Sequence, residues 1–358
     1  MVRGTLGAGR RAVMTVRIAD AVQGGAARLH VCTLFDARYA TRGLVMLESL
    51  ARHCALPHHV TVLAMDDEAA RMLAAAGRPA WRIVRVGDLG DAELSALQHT
   101  RPHREFCWTA APALCRHLVA AASEGDVVVY LDADLMFFRD PAELLAELDD
   151  GGSMLIHEHR YSPDRAQYEA SSGRFNVGFV GFRVDQQARA CTERWRAQVI
   201  ALCVLDPARG LCGDQGYLNE WPALYPGLRI MRNIGGGVAP WNLAAYRVGG
   251  TRAAPTVDGV KVVFFHYHSF RTLGIGRFGF LAALPAYGYG FPRQAVRLLF
   301  ATYAGRIRAC QAEMARAGFA LATDLVVGLG DALRGLVSGR YLPAIAAPWR
   351  ARREEGTG

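Results

Sequence analysis

The stretch VVVYLDAD at residues 127–134 decides the fold class, and it ends in two aspartates, Asp132 and Asp134. Its uncharged first five residues are typical of a strand that is buried on both faces in a parallel sheet. Residues two apart in an extended chain project to the same side, so the two carboxylates can meet one ion. Ligands of open parallel sheets bind beyond the carboxyl ends of the strands. Alternatively, the common tripeptide D-x-D marks only a turn or a helix cap.

Oxygen ligands of this kind suit Mg²⁺ or Mn²⁺, which in proteins usually keep positions open for substrate phosphates. Such an ion neutralises a departing diphosphate as a Lewis acid. The stretch therefore predicts a metal site for a phosphate-bearing substrate at one edge of the sheet.

Strands and helices alternate on both sides of this stretch. Strands are predicted at residues 30–35, 59–65, 83–86, 154–158, 175–183 and 260–268. Helices are predicted at residues 43–53, 68–76, 112–122, 186–203 and 214–221. We expect Pro112 to open its helix at the first turn. The alternation predicts an α/β fold with a mostly parallel sheet flanked by helices.

The 358-residue chain is long enough for one large domain or two ordinary ones. Residues 1–27 carry arginines without the compact apolar block of a signal peptide, so we predict a disordered extension there. The main domain is predicted at residues 28–285. Prolines and glycines at 285–292 separate it from a basic helical extension at residues 286–358, with helices near 293–317 and 320–338.

The net charge of +8 accompanies no recognisable nucleic-acid module, which favours an anionic substrate or a membrane surface. Basic residues recur in the predicted C-terminal helices: Arg293, Arg297, Arg306, Arg308 and Arg316. Such helices either pack on their own domain or lie on an anionic membrane. No apolar run reaches the ~18–20 residues of a membrane span. The eight cysteines form no C-x-x-C pair, which favours reduced thiols and a cytoplasmic location, including the inner membrane face.

Five motifs occur in a fixed order along residues 30–272: TLFDARY at 33–39, LDAD at 131–134, FNVG at 175–178, GDQ at 213–215 and FHYHS at 265–269. In this order they resemble the GT-A class of nucleotide-sugar transferases, in particular glycosyltransferase family 8 and its bacterial surface-polysaccharide relatives. The resemblance implies a GT-A (Rossmann-like) fold. It also implies transfer of a sugar, with retention, from a UDP-sugar donor to a glycan or lipid-linked acceptor.

The resemblance also assigns roles to residues. It implies a Mn²⁺ or Mg²⁺ ion held by Asp132, Asp134 and His266, with His268 as a further candidate ligand. The implied catalytic pair beside the anomeric carbon is Asp214 and Gln215. The implied donor contacts are Thr33, Phe35, Asp36, Tyr39, Asp132, Asn176 and Arg271.

Each assignment has a plainer alternative. Strand histidines such as His266 and His268 are often ordinary buried or surface residues. Asp214 fits the N-cap of a helix, which is compatible with a catalytic role. Asn176 in an apolar strand needs a partner, either structural or a ligand. The glycine-rich loop at residues 233–242 either shapes a pocket or is a turn.

Three positions depart from the family pattern. Trp108 stands where an arginine is frequent, Ser269 where glycine is usual, and Arg271 in the region of a phosphate-binding lysine. Two other functions remain open. A sugar-nucleotide pyrophosphorylase normally has a glycine- and arginine-rich loop after its first strand, where this chain reads FDARYATRG. The second open function is that of a non-catalytic relative that assists glycan assembly.

Overall fold

A mixed sheet of seven strands forms the centre of the computed structural model, which describes residues 17–343 except 79, 276–278, 285–290 and 321–323. The strands up to residue 230 are β1 (Leu29–Phe35), β2 (His58–Ala64), β3 (Trp81–Val84), β4 (Val127–Leu131), β5 (Leu135–Phe137), β6 (Met154–Glu158), β7 (Phe175–Arg183), β8 (Leu205–Asp206), β9 (Leu211–Cys212) and β10 (Leu228–Ile230). The central order is β10-β6-β7-β4-β1-β2-β3. All neighbouring pairs are parallel except the two that involve β7. The mostly parallel α/β fold predicted from the sequence is confirmed.

Helices cover both faces of this sheet. They are α1 (Ile18–Gln23), α2 (Ala40–His53), α3 (Asp67–Ala75), α4 (Ala92–Leu97), α5 (His103–Ala121), α6 (Ala142–Leu145), α7 (Tyr168–Ser172), α8 (Gln186–Ala201) and α9 (Trp221–Leu224). Side-chain caps start several of them; Asp66 Oδ1, for example, accepts a hydrogen bond from Ala69 N at 2.7 Å. One core lies between α2 and the sheet, and a second lies under α5 and α8.

The direction of β7 determines which of the predicted motifs lie next to each other. Because β7 runs antiparallel to β4, the beginning of β7 lies at the same edge of the sheet as the end of β4. Leu131, the last residue of β4, pairs with Phe179. Beyond it, Asp132 N donates a hydrogen bond to Gly178 O at 3.0 Å. Two of the predicted motifs therefore meet at one edge.

Two predicted elements have different bounds. The strand predicted to reach Asp134 ends at Leu131, and both aspartates lie in the turn before β5. The helix predicted to begin at Pro112 begins at His103, with Pro112 in its interior. Proline lacks an N–H, so this helix forgoes one backbone hydrogen bond. Buried side chains such as Phe106 and Leu114 hold it against the second core.

The remaining strands are short: β11 (Val248–Gly250), β12 (Pro255–Val257), β13 (Val260–Lys261), β14 (Phe264–His266), β15 (Arg271–Ile275), β16 (Gly279–Ala283), β17 (Leu325–Val326) and β18 (Tyr341–Pro343). The predicted strand at residues 260–268 is thus two strands. β13 belongs to a small sheet with β11 and β12, whereas β14 pairs antiparallel with β5.

The C-terminal part contains helices, as expected, together with a small sheet. α10 (Arg293–Ala295), a π-helical turn (Val296–Phe300) and α11 (Ala301–Arg316) form one helical stretch. The second predicted helix, at 320–338, is shorter: α12 (Leu329–Val337) lies between β17 and β18. These two strands join β15 and β16 in the order β17-β15-β16-β18. None of the described helices combines the length and the apolar composition that a membrane-spanning segment needs.

Both ends of the described chain pack against the main domain. Of the predicted disordered extension, residues 1–16 lie outside the described residues, whereas α1 buries Ile18 and Val22. At the other end, Tyr303 of α11 stacks on Tyr267, with ring centroids 3.7 Å apart. Arg42 of α2 is buried and its Nη2 lies 2.6 Å from Asp324 Oδ2. The division at residues 28–285 and 286–358 remains a prediction.

Candidate active site

Three predicted metal ligands meet at the edge where β4 ends. Asp132 and Asp134 come from the β4–β5 turn, and His266 ends β14, whose register on β5 pairs it with Leu135. His266 Nε2 lies 3.0 Å from Asp134 Oδ1 and 3.7 Å from Asp132 Oδ2. One ligand atom from each residue lies within 4.8 Å of the others. The strands thus bring together residues that are up to 134 positions apart.

The charges of this cluster depend on one another. Burial raises the pKa of Asp132 to about 6, against the opposing charge of His266. Burial also disfavours the charged form of Asp134, but His266 outweighs it and lowers the pKa of Asp134 to about 2. For His266, burial alone would lower the pKa, yet the two carboxylates leave it raised. Tyr130 Oη donates a hydrogen bond to Asp132 Oδ1 at 3.0 Å. A cation is therefore favoured at the point where the two carboxylates face each other.

The cluster fits a hard divalent ion. Ligands at roughly 2.1 Å from an octahedral ion lie about 3.0 Å apart when adjacent and about 4.2 Å when opposite. The observed distances of 3.0 and 3.7 Å fall in this range. On the other side of the imidazole, His266 Nδ1 is buried and makes no hydrogen bond in the described structure. The neutral imidazole could therefore carry its proton at Nδ1 and present the Nε2 lone pair to an ion.

Gly178 provides the space for that imidazole. A Cβ at this position would lie 2.8 Å from both His266 Nδ1 and Asn176 Oδ1. Contacts of that length are too short for a side chain. The glycine of the FNVG motif thus lets the strand approach the metal-ligand cluster.

A chain of amide hydrogen bonds joins the next two predicted residues. Asn176 Nδ2 donates to Gln215 Oε1 at 2.8 Å, and Gln215 Nε2 donates to Ser172 O at 2.6 Å. Asn176 Oδ1 accepts a hydrogen bond from Gly178 N at 2.9 Å. Asn176 therefore has structural partners that fix the orientation of Gln215. A role at the anomeric carbon requires Gln215 Oε1 to act alongside this bond or to exchange it.

Asp214 lies next to this chain and is buried. Burial, followed by the charge of Asp132, raises the pKa of Asp214 well above its usual value. Its side chain makes no capping hydrogen bond of the usual kind on the following 3₁₀ turn (Gln215–Glu220), although backbone hydrogen bonds of Asp214 and Gln215 oppose the rise in its pKa. The preceding Gly213 has φ 55° and faces Trp108, whose ring atoms would lie 2.7 Å from a Cβ. Trp108 thus packs behind the GDQ motif.

The predicted base-binding motif divides into buried and accessible residues. Thr33 and Phe35 are buried in β1, and the Phe35 ring fills the space beside Gly43. Neither can present its side chain to a nucleoside without rearrangement. Tyr39 is 44% exposed, and Asp36 Oδ2 lies 2.9 Å from His103 Nε2. Of this set only Tyr39 is exposed, and Asp36 is buried beside His103.

The residues of the late motif, FHYHS at 265–269, also differ in burial and in position relative to the metal-ligand cluster. His268 lies outside the three-ligand cluster; its side chain is exposed, and its ring centroid is 6.0 Å from that of His266. Ser269 has φ 60°, a conformation that favours glycine, which explains why glycine is usual there. Arg271 begins β15 and is exposed.

Four contributing residues were not among the residues assigned a role from the sequence, although Trp241 lies in the glycine-rich loop at residues 233–242. Tyr130 binds Asp132, and buried Arg42 lowers the pKa of Asp134 as the last of several causes, after His266 and His268. His159 Nε2 lies 3.3 Å from Asn176 Nδ2. Trp241 places its ring 5.2 Å from that of His266. Alternation in the strand predicted at residues 127–134 already placed Tyr130 and Asp132 on one side, but nothing local marked Arg42.

The glycine-rich loop supports the late motif. His266 N donates a hydrogen bond to Val238 O at 2.8 Å, and Val238 forms a parallel bridge with Phe265. Asn242 Nδ2 donates to Gly237 O at 2.9 Å and to His159 O at 2.8 Å. The loop is therefore more than a turn, because it holds the backbone of His266.

Known proteins provide independent comparisons. A family model described as nucleotide-diphospho-sugar transferase matches residues 55–208. The uncharacterized protein YfnD of Bacillus subtilis (strain 168) is 31% identical over 243 residues, which cover 67% of this chain and 78% of YfnD. The uncharacterized protein YfnF of the same strain is 27% identical over 222 residues, covering 60% of this chain and 73% of YfnF.

Solved structures to which the chain is similar include the galactosyltransferase LgtC, in complex with donor and acceptor sugar analogs. It has 18% identity and a TM-score of 0.46, covering 67% of this chain and 87% of LgtC. Mouse xyloside xylosyltransferase 1 has 15% identity and a TM-score of 0.41, covering 68% of this chain and 98% of that protein.

Proposed function

The chain belongs to the nucleotide-diphospho-sugar transferase family and is a glycosyltransferase, and on that premise we propose that it is a metal-dependent enzyme. It transfers a sugar from a UDP-sugar to a glycan or lipid-linked acceptor. Retention of the anomeric configuration is proposed from the family resemblance alone.

One observation carries the proposed metal dependence: Asp132, Asp134 and His266 place their ligand atoms within 4.8 Å of one another at the open edge of the sheet. We propose that these residues hold Mn²⁺ or Mg²⁺. A bound ion of this kind supplies Lewis-acid neutralisation of the departing diphosphate. The protein's own contribution is to fix the two carboxylates and the imidazole before the donor arrives, which Tyr130 and Gly178 support.

The sugar of the donor is proposed to lie against the chain of side-chain amide hydrogen bonds that joins Asn176 to Gln215. Asn176 orients Gln215, and Asp214 lies beside them in a buried setting that favours its protonated form. A protonated Asp214 would donate a hydrogen bond to a sugar hydroxyl, while Gln215 would support positive charge at the anomeric carbon. Tyr39 and Arg271 remain proposed donor contacts because both are exposed, and Asp36, which is buried, remains one because it lies three residues before Tyr39 in the same motif.

The proposed partners are the UDP-sugar and a glycan or lipid-linked acceptor, with no nucleic acid. A cytoplasmic location is proposed, with contact to the inner face of the membrane through the C-terminal helices. The net charge of +8 supports an anionic surface as a partner.

A panel of nucleotide sugars tests the donor and the metal together. We expect hydrolysis of one UDP-sugar that requires Mn²⁺ or Mg²⁺ and stops with excess chelator. We also expect UDP to raise the unfolding temperature only when the divalent ion is present, because the ion bridges protein and diphosphate. Equal protection by UDP in chelator, or hydrolysis that needs no metal, would contradict the proposal.

The other two functions receive less support. A sugar-nucleotide pyrophosphorylase would release nucleoside triphosphate from a nucleotide sugar only when pyrophosphate is added, so a parallel panel with pyrophosphate distinguishes it. A non-catalytic relative would bind donor without turnover. The family match favours the transferase over both.

A further inference from the structure

His159, which follows β6 and is buried, lies at the centre of the hydrogen bonds that orient Gln215. Its Nδ1 lies 3.3 Å from Arg174 O, and its Nε2 lies 3.3 Å from Asn176 Nδ2. A carbonyl oxygen only accepts hydrogen bonds, so Nδ1 carries the proton and donates to Arg174 O. An amide nitrogen only donates, so Nε2 is the unprotonated acceptor. The two partners thus fix one tautomer of a neutral imidazole.

The same reasoning fixes the amide of Asn176. Its Oδ1 accepts a hydrogen bond from Gly178 N at 2.9 Å, so its Nδ2 points the other way. The two hydrogens of Nδ2 have two acceptors, Gln215 Oε1 at 2.8 Å and His159 Nε2 at 3.3 Å. His159 therefore binds the second hydrogen and opposes rotation of the Asn176 amide away from Gln215.

The position of the proton on His159 consequently affects the orientation of Gln215. If Nε2 carried the proton, two N–H groups would face each other between His159 and Asn176, which leaves a buried donor without an acceptor. Rotation of the Asn176 amide would remove that conflict but would place its Oδ1 against Gln215 Oε1, and two oxygens cannot share a hydrogen bond. Gln215 would then lose the donor that holds its carbonyl oxygen.

The surroundings of His159 hold it in place and keep it neutral. Tyr161 stacks on its ring with centroids 4.8 Å apart, and the Trp241 ring lies edge-on at 5.1 Å. Trp241 Nε1 and Asn242 Nδ2 both donate hydrogen bonds to His159 O, at 3.0 and 2.8 Å. Burial lowers the pKa of His159 to about 3, against the hydrogen bond to Arg174 O. The imidazole is therefore neutral between about pH 5 and 8.

We propose that His159 is a positioning residue of the transfer reaction, which acts through Asn176 to present the carbonyl oxygen of Gln215 to the donor sugar. This inference rests on the proposed function in placing Gln215 beside the anomeric carbon. Gln215 Oε1 has two lone pairs, so one can face the sugar while Asn176 occupies the other. His159 lies outside the three-ligand cluster, and its role is therefore separate from metal binding.

Two substitutions separate this role from ordinary packing. In His159→Gln, the side-chain oxygen can take the place of Nε2 and accept a hydrogen bond from Asn176. In His159→Asn, the shorter amide reaches only the place of Nδ1, so it can donate to Arg174 O but leaves Asn176 without its second acceptor. We expect His159→Asn to lower kcat for metal-dependent UDP-sugar hydrolysis at least ~10-fold, with an unchanged half-saturating Mn²⁺ concentration. His159→Gln should recover most of this kcat.

A neighbouring histidine provides the matched control. His157 is also buried, but its Nε2 makes no hydrogen bond in the described structure. His157→Asn is therefore the same chemical change without loss of an acceptor, and we expect it to keep kcat near that of the wild type. An equal loss of kcat in His157→Asn would overturn the inference, and so would a His159→Gln variant as slow as His159→Asn.

A double-mutant cycle tests whether His159 acts through Gln215. In a Gln215→Ala background, His159→Asn should lower kcat no further, because the group that His159 positions is absent. The same fold-loss in both backgrounds would show that His159 acts independently of Gln215 and would overturn the proposed role.

NMR of the histidine ring nitrogens tests the tautomer without any enzymatic activity. We expect the ring of His159, identified by its absence from the spectrum of His159→Gln, to carry its proton at Nδ1 from about pH 5 to 8. A proton at Nε2 would overturn the inference even where transfer is observed. A wild type without metal-dependent turnover would instead contradict the proposed function, so the two failures are distinguishable.

Discussion

Replacing Gly178 by alanine tests whether the approach of β7 to the metal-ligand cluster matters for metal binding. The new Cβ would lie 2.8 Å from His266 Nδ1 and from Asn176 Oδ1. An ordinary contact needs about 3.5 Å, so the imidazole or the strand must move by about 0.7 Å. Such a movement displaces His266 Nε2 from the two carboxylates and disturbs the amide that orients Gln215.

The expected size follows from that displacement. Disturbing the surroundings of a metal ligand typically reduces metal affinity or activity by about 10- to 100-fold. A misplacement of about 1 Å can reduce the rate by about 100-fold. We therefore expect Gly178→Ala to raise the half-saturating Mn²⁺ concentration at least ~10-fold. Overpacking should also reduce the free energy of unfolding by about 1–3 kcal/mol.

The same strand offers a matched control. A Cβ at Gly181 would lie 3.5 Å from the side chains of Leu145 and Leu155, which is an ordinary contact distance. Gly181→Ala is therefore the same chemical change in the same strand without the clash at His266. Both variants are compared by calorimetric Mn²⁺ titration, by metal-dependent donor hydrolysis and by thermal unfolding.

The reasoning fails if folded Gly178→Ala binds Mn²⁺ as tightly as the wild type. It also fails if Gly181→Ala weakens Mn²⁺ binding equally, since the effect would then come from the strand as a whole. A loss of stability without a change in metal affinity would place the clash outside the metal site.

Three further results are expected. His266→Ala should raise the half-maximal Mn²⁺ concentration at least ~10-fold and His268→Ala much less; a larger effect of His268→Ala in metal titrations would make His268 the third ligand. Asp134→Ala should abolish transfer and leave the circular dichroism spectrum unchanged, and wild-type turnover after chelation and added Mn²⁺ would refute its role. Burial, against the opposing charge of Arg78, raises the pKa of Glu48 to about 7 from 4.5, so folding favours its protonated form and stability falls as the pH rises between those values. Glu48→Gln should thus stabilise the protein by ~1–3 kcal/mol more at pH 8 than at pH 5, and equal thermal shifts at both would contradict this pKa.

The sequence predicted the α/β class and most central strands because buried apolar runs bounded by turns are local signals. It also placed Asp132 and Asp134 correctly at the strand end, although they lie in a turn rather than in the strand. It did not reveal that β7 is antiparallel. A strand buried on both faces reads the same in either direction, and its direction depends on connections that no local pattern records.

The late apolar run at residues 260–268 shows another limit. Its composition predicts one strand, but its two halves pair with different partners, β12 and β5. Pairing partners are distant in sequence, so propensity alone cannot show where a run is divided. Similarly, the apolar positions after Pro112 predicted a helix that begins there, whereas α5 already begins after Pro102.

For the site, the motifs predicted which residues lie near the metal-ligand cluster better than they predicted which side chains are exposed. Thr33 and Phe35 fall in the expected motif but are buried, because β1 has no exposed face and therefore no in–out alternation to read. The sequence did not predict a role for Arg42 because its partner, Asp324, lies 282 residues away. Its importance comes only from tertiary packing.

That long-range pair has a consequence for the order of events during synthesis. A buried guanidinium without its carboxylate is strongly destabilising. At ~5–20 residues per second, roughly 15–60 s pass between synthesis of residue 42 and residue 324. The N-terminal strands and α2 can assemble in that interval, but Arg42 has to stay solvated until Asp324 arrives. We therefore expect the edge that carries the metal ligands to close late, and nascent chains that end before residue 324 to expose it to proteases.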